Sequence, residues 1–169
     1  NDYLKLANGE GFLELISPAS TSFSISFYFM IPGSGATGTQ YLLTKTHATA
    51  EFLWLNITAA SDLQFAGTTI VDGSVTFPIN AVWDTNFVKG TWYHLTITCD
   101  RSGTNSETLA YVNGDVATRA SQSTTASNAA LLGEGSTNAT FTSMGTFNVG
   151  TSHIAYFNLH LDELAAWNS

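Results

Sequence analysis

The chain is poor in cysteine, in basic residues and in any helical pattern. Cys99 is the only cysteine among 169 residues, so no disulfide can form within the chain. Lysine and arginine total 5 against 13 aspartates and glutamates. Five cations cannot build a phosphate-tracking stripe, which excludes nucleic acid as a partner. Charged residues are 11% of the chain, against about 25% in an average soluble domain. No apolar run approaches the roughly 20 residues that span a bilayer as a helix, so no membrane insertion is expected. No signal-peptide pattern opens the sequence. The 4 histidines show no His-x-His or His-x-x-x-His spacing, which removes the usual zinc arrangements. There is no phosphate-cradling loop and no Gly-x-Ser-x-Gly elbow.

What is present is strand patterning. Hydrophobic residues are 44% of the chain, enough for one core, and a single domain over 1–169 is expected. Phe23, Ile25, Phe27, Phe29 and Ile31 share one parity and should face the core, leaving Ser24, Ser26 and Tyr28 on the other face. Similar short runs begin at Tyr41, Glu51, Asp62 and Val71. Residues 78–87 read as a loop carrying Trp83 and Phe87, and residues 120–130 as a polar excursion over the surface. The start at Asn1, without methionine, suggests a module excised or processed from a larger protein.

The stretch 89–114 carries the clearest signal. It reads Lys-Gly-Thr-Trp-Tyr-His-Leu-Thr-Ile-Thr-Cys-Asp, a polar loop, and then Thr-Leu-Ala-Tyr-Val-Asn-Gly. Two alternating strands flank the loop, and Asn113-Gly114 is a strong hairpin-turn dipeptide. Together with Phe147-Asn-Val-Gly150 and the closing His160-Leu-Asp-Glu-Leu-Ala-Ala-Trp-Asn168, this pattern resembles the laminin-G-like branch of the concanavalin A-like lectin/glucanase family. The resemblance implies an all-β fold, a concanavalin A-like jelly-roll sandwich of two antiparallel sheets. Modules of that family mostly bind a glycan or a protein, and the fold by itself does not choose between roles.

The resemblance implies that a structural calcium ion held by Asp162 ties the N-terminal strand to the closing strand. The residues alone allow a second reading, in which the carboxylate accepts hydrogen bonds from backbone N–H groups. Asp162-Glu163 interrupts an apolar strand, where a β-bulge would turn one carboxylate outward. Trp92 and Trp167 match family positions that pack at sheet edges and are expected in the core. His94 reads as a satisfied strand residue and Cys99 as a small packed hydrophobe.

Aromatics that the core does not need are the candidates for ligand contact. Trp54 and Phe52 oppose the parity of Leu53, Leu55 and Ile57, which places them on an outer sheet face. Trp83 and Phe87 lie beside Asp84 and Asn86, an aromatic and polar combination suited to a sugar ring; the second reading of the pair is a loop anchor that plugs the end of the sandwich. The expected function is therefore non-catalytic binding of a glycan or cell-surface ligand by an extracellular, cell-surface or virion protein. The alternative is an architectural domain of a bacteriophage particle contacting other subunits. A glycosidase stands third, because no strand carries the Glu-x-Asp-x-x-Glu arrangement that places two carboxyl groups on one face.

Overall fold

The computed structural model describes residues 4–6, 22–33, 38–47, 51–71, 74–100, 107–123, 140–144, 146–149, 152–156 and 159–168. Every regular element among them is a β-strand. In chain order these are β1 (Leu4–Leu6), β2 (Phe23–Met30), β3 (Gln40–His47), β4 (Glu51–Ile57), β5 (Leu63–Val71), β6 (Ser74–Asp84) and β7 (Trp92–Asp100). They are followed by β8 (Glu107–Val112), β9 (Asp115–Val116), β10 (Thr118–Ser123), β11 (Thr140–Met144), β12 (Thr146–Val149), β13 (Ser152–Tyr156) and β14 (His160–Asn168).

The strands form a 7-stranded sheet in the order β1-β11-β3-β4-β5-β6-β10 and a 5-stranded sheet in the order β14-β2-β7-β8-β9. β12 and β13 pair as a hairpin. All the pairings are antiparallel, and the jelly-roll sandwich expected from the sequence is what the chain adopts.

Alternation builds the core. From β2 and β7 of the smaller sheet come Phe23, Ile25, Phe27, Phe29, Leu95, Ile97 and Cys99. Leu42, Leu43, Leu55, Ile57, Leu63, Phe65, Ala81 and Trp83 of the larger sheet meet them. Phe23 and Phe65 touch edge to face across the two layers, with centroids 6.1 Å apart. Each large apolar side chain buried here adds about 1.5–3 kcal/mol. Cys99 is buried as a small hydrophobe, and Thr108 Oγ1 donates to its Sγ at 3.5 Å.

The turn at Asn113-Gly114 forms as expected, with both residues at positive φ (54° and 90°). Such a turn needs two consecutive left-handed residues, which asparagine and glycine tolerate best. It is fastened to β7 by Asn113 Oδ1, which accepts from the His94 N–H at 2.9 Å, and by the Asn113 N–H, which donates to the His94 carbonyl at 2.8 Å.

Two strand assignments differ from the sequence reading. β6 runs through the stretch read as a loop, despite Pro78. Its register with β5 shifts between Gly67 and Thr69, leaving Phe77 and Pro78 opposite a single residue. Such a bulge is a place where a strand accommodates proline. β10 likewise reaches Ser123, which takes in the first four residues of the expected excursion. The stretch 124–139, which holds the rest of the expected excursion, lies outside the described residues, as does the side chain of Phe52.

Candidate functional site

The aromatics fall on opposite sides of the expected division. Trp83, expected at a ligand, is 0% exposed and sits in the core. Ala81 and Trp83 share the inward parity of β6, and Trp83 stands opposite the buried Leu63 of β5. Phe87 is also buried, stacked edge to face on Phe29 at 5.1 Å and on Tyr93 at 4.8 Å. The Tyr93 hydroxyl accepts from the Val88 N–H at 3.0 Å and pins this anchor. Asp84 and Asn86 remain exposed, Asp84 at the end of β6 and Asn86 at φ 50°. The loop therefore offers polar groups without the aromatic surface that was expected beside them.

Trp54 does lie on the outer face of the 7-stranded sheet, as its parity requires, but most of it is buried. Its register partners Thr44 and Ala66 are fully buried, and so is nearly all of Asn56. Tyr41 lies opposite Asn56 in the β3–β4 register. Burial pushes the Tyr41 phenol up, and a hydrogen bond from the Asn56 side chain partly opposes that shift. Gln64 Nε2 donates to Asn80 Oδ1 at 3.1 Å. This face is sheltered, and its amides are only partly paired: Asn56 Oδ1 is buried with no hydrogen-bond partner among the described residues.

The exposed aromatics are elsewhere. Trp92 is 47% exposed, Trp167 52% and Tyr28 39%, where Trp92 and Trp167 had been expected in the core. All three project from the outer face of the 5-stranded sheet. On β7 the burial pattern alternates so that Leu95, Ile97 and Cys99 point inward. Trp92, His94, Thr96 and Thr98 must then point out. Trp167 is turned out by the bulge in β14, where one extra residue intervenes between Asp162 and Ala165 and reverses the facing of all that follows.

The register assembles this face row by row. His160, Met30 and Trp92 lie side by side on β14, β2 and β7, and the Trp92 ring meets His160 at 6.2 Å and 78°. In the next row the Tyr28 ring meets His94 at 4.6 Å, the two planes tilted by 35°. His94 Nε2 lies 2.8 Å from Ser26 Oγ, which is 3.1 Å from Thr96 Oγ1. Beyond this hydroxyl floor comes the row Trp167, Ser24, Thr98 and Leu109. There a cleft of ≈540 Å³ opens, lined by Ser22, Phe23, Ser24, Thr98, Cys99, Asp100, Glu107 and Leu109.

Ser26 and His94 do not make a nucleophile pair. β2 is flanked by β14 and β7, so the ladders on both sides use its backbone donors and leave none for an oxyanion. The carboxyl groups that face each other in this region, Asp100 and Glu107, are both exposed, and Glu107 is ion-paired to Arg119 at 3.3 Å.

Asp162 is exposed at the β14 bulge, and its Oδ1 accepts from the Glu163 N–H at 2.9 Å, with Glu163 at φ 51°. This is the bulge the sequence suggested. The N-terminal strand β1 pairs with β11 in the other sheet, whereas Asp162 lies beside Tyr28 on β2. Among the described residues no three histidine, cysteine, aspartate or glutamate side chains group as metal ligands. The Asp162 carboxylate thus already serves as an acceptor within the bulge.

Similar architectures occur in several solved structures. The Ruminococcus gnavus IT-sialidase CBM40 bound to α2,3 sialyllactose aligns with TM-score 0.63 at 11% identity, over 99% of this chain and 89% of that one. The heptameric SAP-like pentraxin from Limulus polyphemus aligns at 0.53 and 12%, over 89% of this chain and 65% of its own. The binding domain of botulinum neurotoxin serotype D/C aligns at 0.56 and 19%, over 98% of this chain and 37% of that domain. At such identities the likeness speaks for the fold. No curated protein matches the chain. A laminin-G-like family model covers residues 1–169, and the chain belongs to the concanavalin A-like lectin/glucanases superfamily.

Proposed function

We propose that this is a non-catalytic glycan-binding module of an extracellular, cell-surface or virion protein, and that it binds through the outer face of the 5-stranded sheet. One observation carries the reading: Tyr28, Trp92 and Trp167 are exposed on a single sheet face whose floor is made of serine and threonine hydroxyls. Sugar rings present apolar C–H faces that bury against aromatic rings, while their hydroxyls need a few fixed polar partners. The fold is one on which a carbohydrate-binding module bound to sialyllactose and a toxin binding domain are also built, which favours a binding role. No helix among the described residues is long and apolar enough to cross a membrane.

A shallow face should give modest affinity per site, because sugar and protein must both shed water. Several copies on one particle or cell would raise it by avidity. The test is a glycan array with the wild-type protein, followed by calorimetry on Trp92→Ala and Tyr28→Ala. We expect at least tenfold weaker binding, with the melting temperature lowered by no more than about 4 °C. Wild type that binds no glycan but forms a stable oligomer, broken by Trp92→Ala, would instead establish the architectural reading, since the same exposed aromatics suit a protein contact.

A further inference from the structure

The three exposed aromatics of the 5-stranded sheet fall on one diagonal. Trp92 registers with Met30, Tyr28 lies on β2 itself, and Trp167 registers with Ser24. Each step crosses one strand, from β7 to β2 to β14, and each also advances along β2 toward Ser24. At about 3.4 Å per residue and about 4.8 Å between strands, Trp92 stands roughly 8 Å from Tyr28 and roughly 22 Å from Trp167 at the backbone.

The path between Tyr28 and Trp167 is low. Ala165, Ser26 and Ser24 floor it, and Ser26 is 8% exposed. Small side chains there leave clearance for a ligand that spans from one ring to the next. The described rows that the path crosses hold no lysine or arginine, whereas Asp162 and Glu163 are exposed at the bulge beside it. An anionic chain would find no fixed cation on this path and two carboxylates near it, so the ligand that fits is neutral.

We infer that this face binds the interior of a straight, neutral, equatorially linked hexose chain of tetrasaccharide length or longer, and not a single terminal sugar. This rests on the reading of the sheet face as a glycan site. One ring on an open face reaches one aromatic at a time. A chain that spans the diagonal buries apolar ring faces on Trp92, Tyr28 and Trp167 together. Equatorial links keep such a chain extended, so it loses little freedom when it lies down. Each contact made also raises the effective concentration of the next ring at its platform.

The experiment measures affinity by calorimetry along two ladders, β-1,4-linked glucose and β-1,4-linked N-acetylglucosamine, from disaccharide to hexasaccharide. An α-1,4-linked glucose ladder, which coils, is the control. In at least one β-linked ladder the hexasaccharide should bind about tenfold or more tighter than the disaccharide, beyond what additional binding frames along the chain supply. The α-linked ladder should show no such gain. Trp167→Ala should remove most of the gain and Trp167→Phe should restore it, with melting curves establishing that both variants are folded. A smaller gain in both β-linked ladders, an equal gain in the α-linked one, or a gain that survives Trp167→Ala overturns the inference. So does a protein that binds other glycans on the array but neither β-linked ladder. Each of these outcomes leaves the glycan-binding function standing, whereas absence of binding to any glycan overturns both.

Discussion

The outer faces of the two sheets differ in kind. On the 7-stranded sheet, Thr44, Ala66 and Asn56 are buried, Trp54 is mostly buried, and the amides of Gln64 and Asn80 are paired to each other. On the 5-stranded sheet, Tyr28, Trp92 and Trp167 face solvent over a floor of small hydroxyl residues. Both faces carry tryptophan, so tryptophan content does not distinguish them. What distinguishes them is whether the ring is already spent on protein contacts. A buried ring stabilises the fold, whereas an exposed one is available to a ligand and little stability depends on it.

The largest test of that contrast is stability. Trp83→Ala should cost about 3–5 kcal/mol, a large share of the ~5–15 kcal/mol expected for a domain. Trp92→Ala should cost under about 1 kcal/mol, because nearly half of the ring is already in water. Trp83 Nε1 has no hydrogen-bond partner among the described residues, so Trp83→Phe loses volume but no hydrogen bond and should cost less than Trp83→Ala. Urea denaturation of the three variants checks the order, and a Trp92→Ala protein as unstable as Trp83→Ala would erase the distinction between the faces.

A smaller effect is expected at the β14 bulge. Asp162→Ala removes the acceptor for the Glu163 N–H and should cost about 0.5–1.5 kcal/mol. If the carboxylate serves the bulge in this way, wild type should melt at the same temperature in chelator and in millimolar calcium. A clear calcium-dependent rise that Asp162→Ala abolishes would establish the metal reading, because a ligand of the native state stabilises by mass action.

The smallest effect concerns Tyr41 on the sheltered face. Burial raises its pKa in the folded state, so the unfolded chain releases this proton first as pH rises. The stabilisation is fully present below the unfolded value of about 10 and declines above it. Tyr41→Phe should flatten the alkaline fall of the melting temperature, and an unchanged fall would show that Tyr41 is not its source.

Much of the fold was legible in the chain, because alternation is a direct consequence of strand geometry. The inward set of β2 was read correctly from Phe23 to Ile31, and Asn113-Gly114 turns where expected. The site was less legible, for reasons that differ residue by residue. Trp92 shares its parity with His94 and Thr96 and opposes Leu95 and Ile97, so its outward position was written in the sequence, and the family comparison overrode it. Trp83 was misplaced because Pro78, Asn80 and Asn86 suggested a loop, although Ala81 and Trp83 alternate with Asn80 and Val82 as a strand should. Trp167 was not legible at all. Counted from the inward Leu161 its parity points to the core, and only the extra residue at the bulge reverses it. That Tyr28, His94, Trp92 and His160 share one surface follows from β14 and β7 both pairing with β2, a long-range fact that no local pattern contains.

The chain has 4 tryptophans, Trp54, Trp83, Trp92 and Trp167, and each gives one indole N–H signal. Titrating a glycan identified on the array while following these signals by NMR reads both sheet faces and the core in one spectrum. Trp92 and Trp167 should shift or broaden with saturable dependence on ligand, while Trp54 and Trp83 stay in place. Shifts confined to Trp54, with Trp92 and Trp167 unmoved, would put the ligand on the other sheet and contradict the assignment made here.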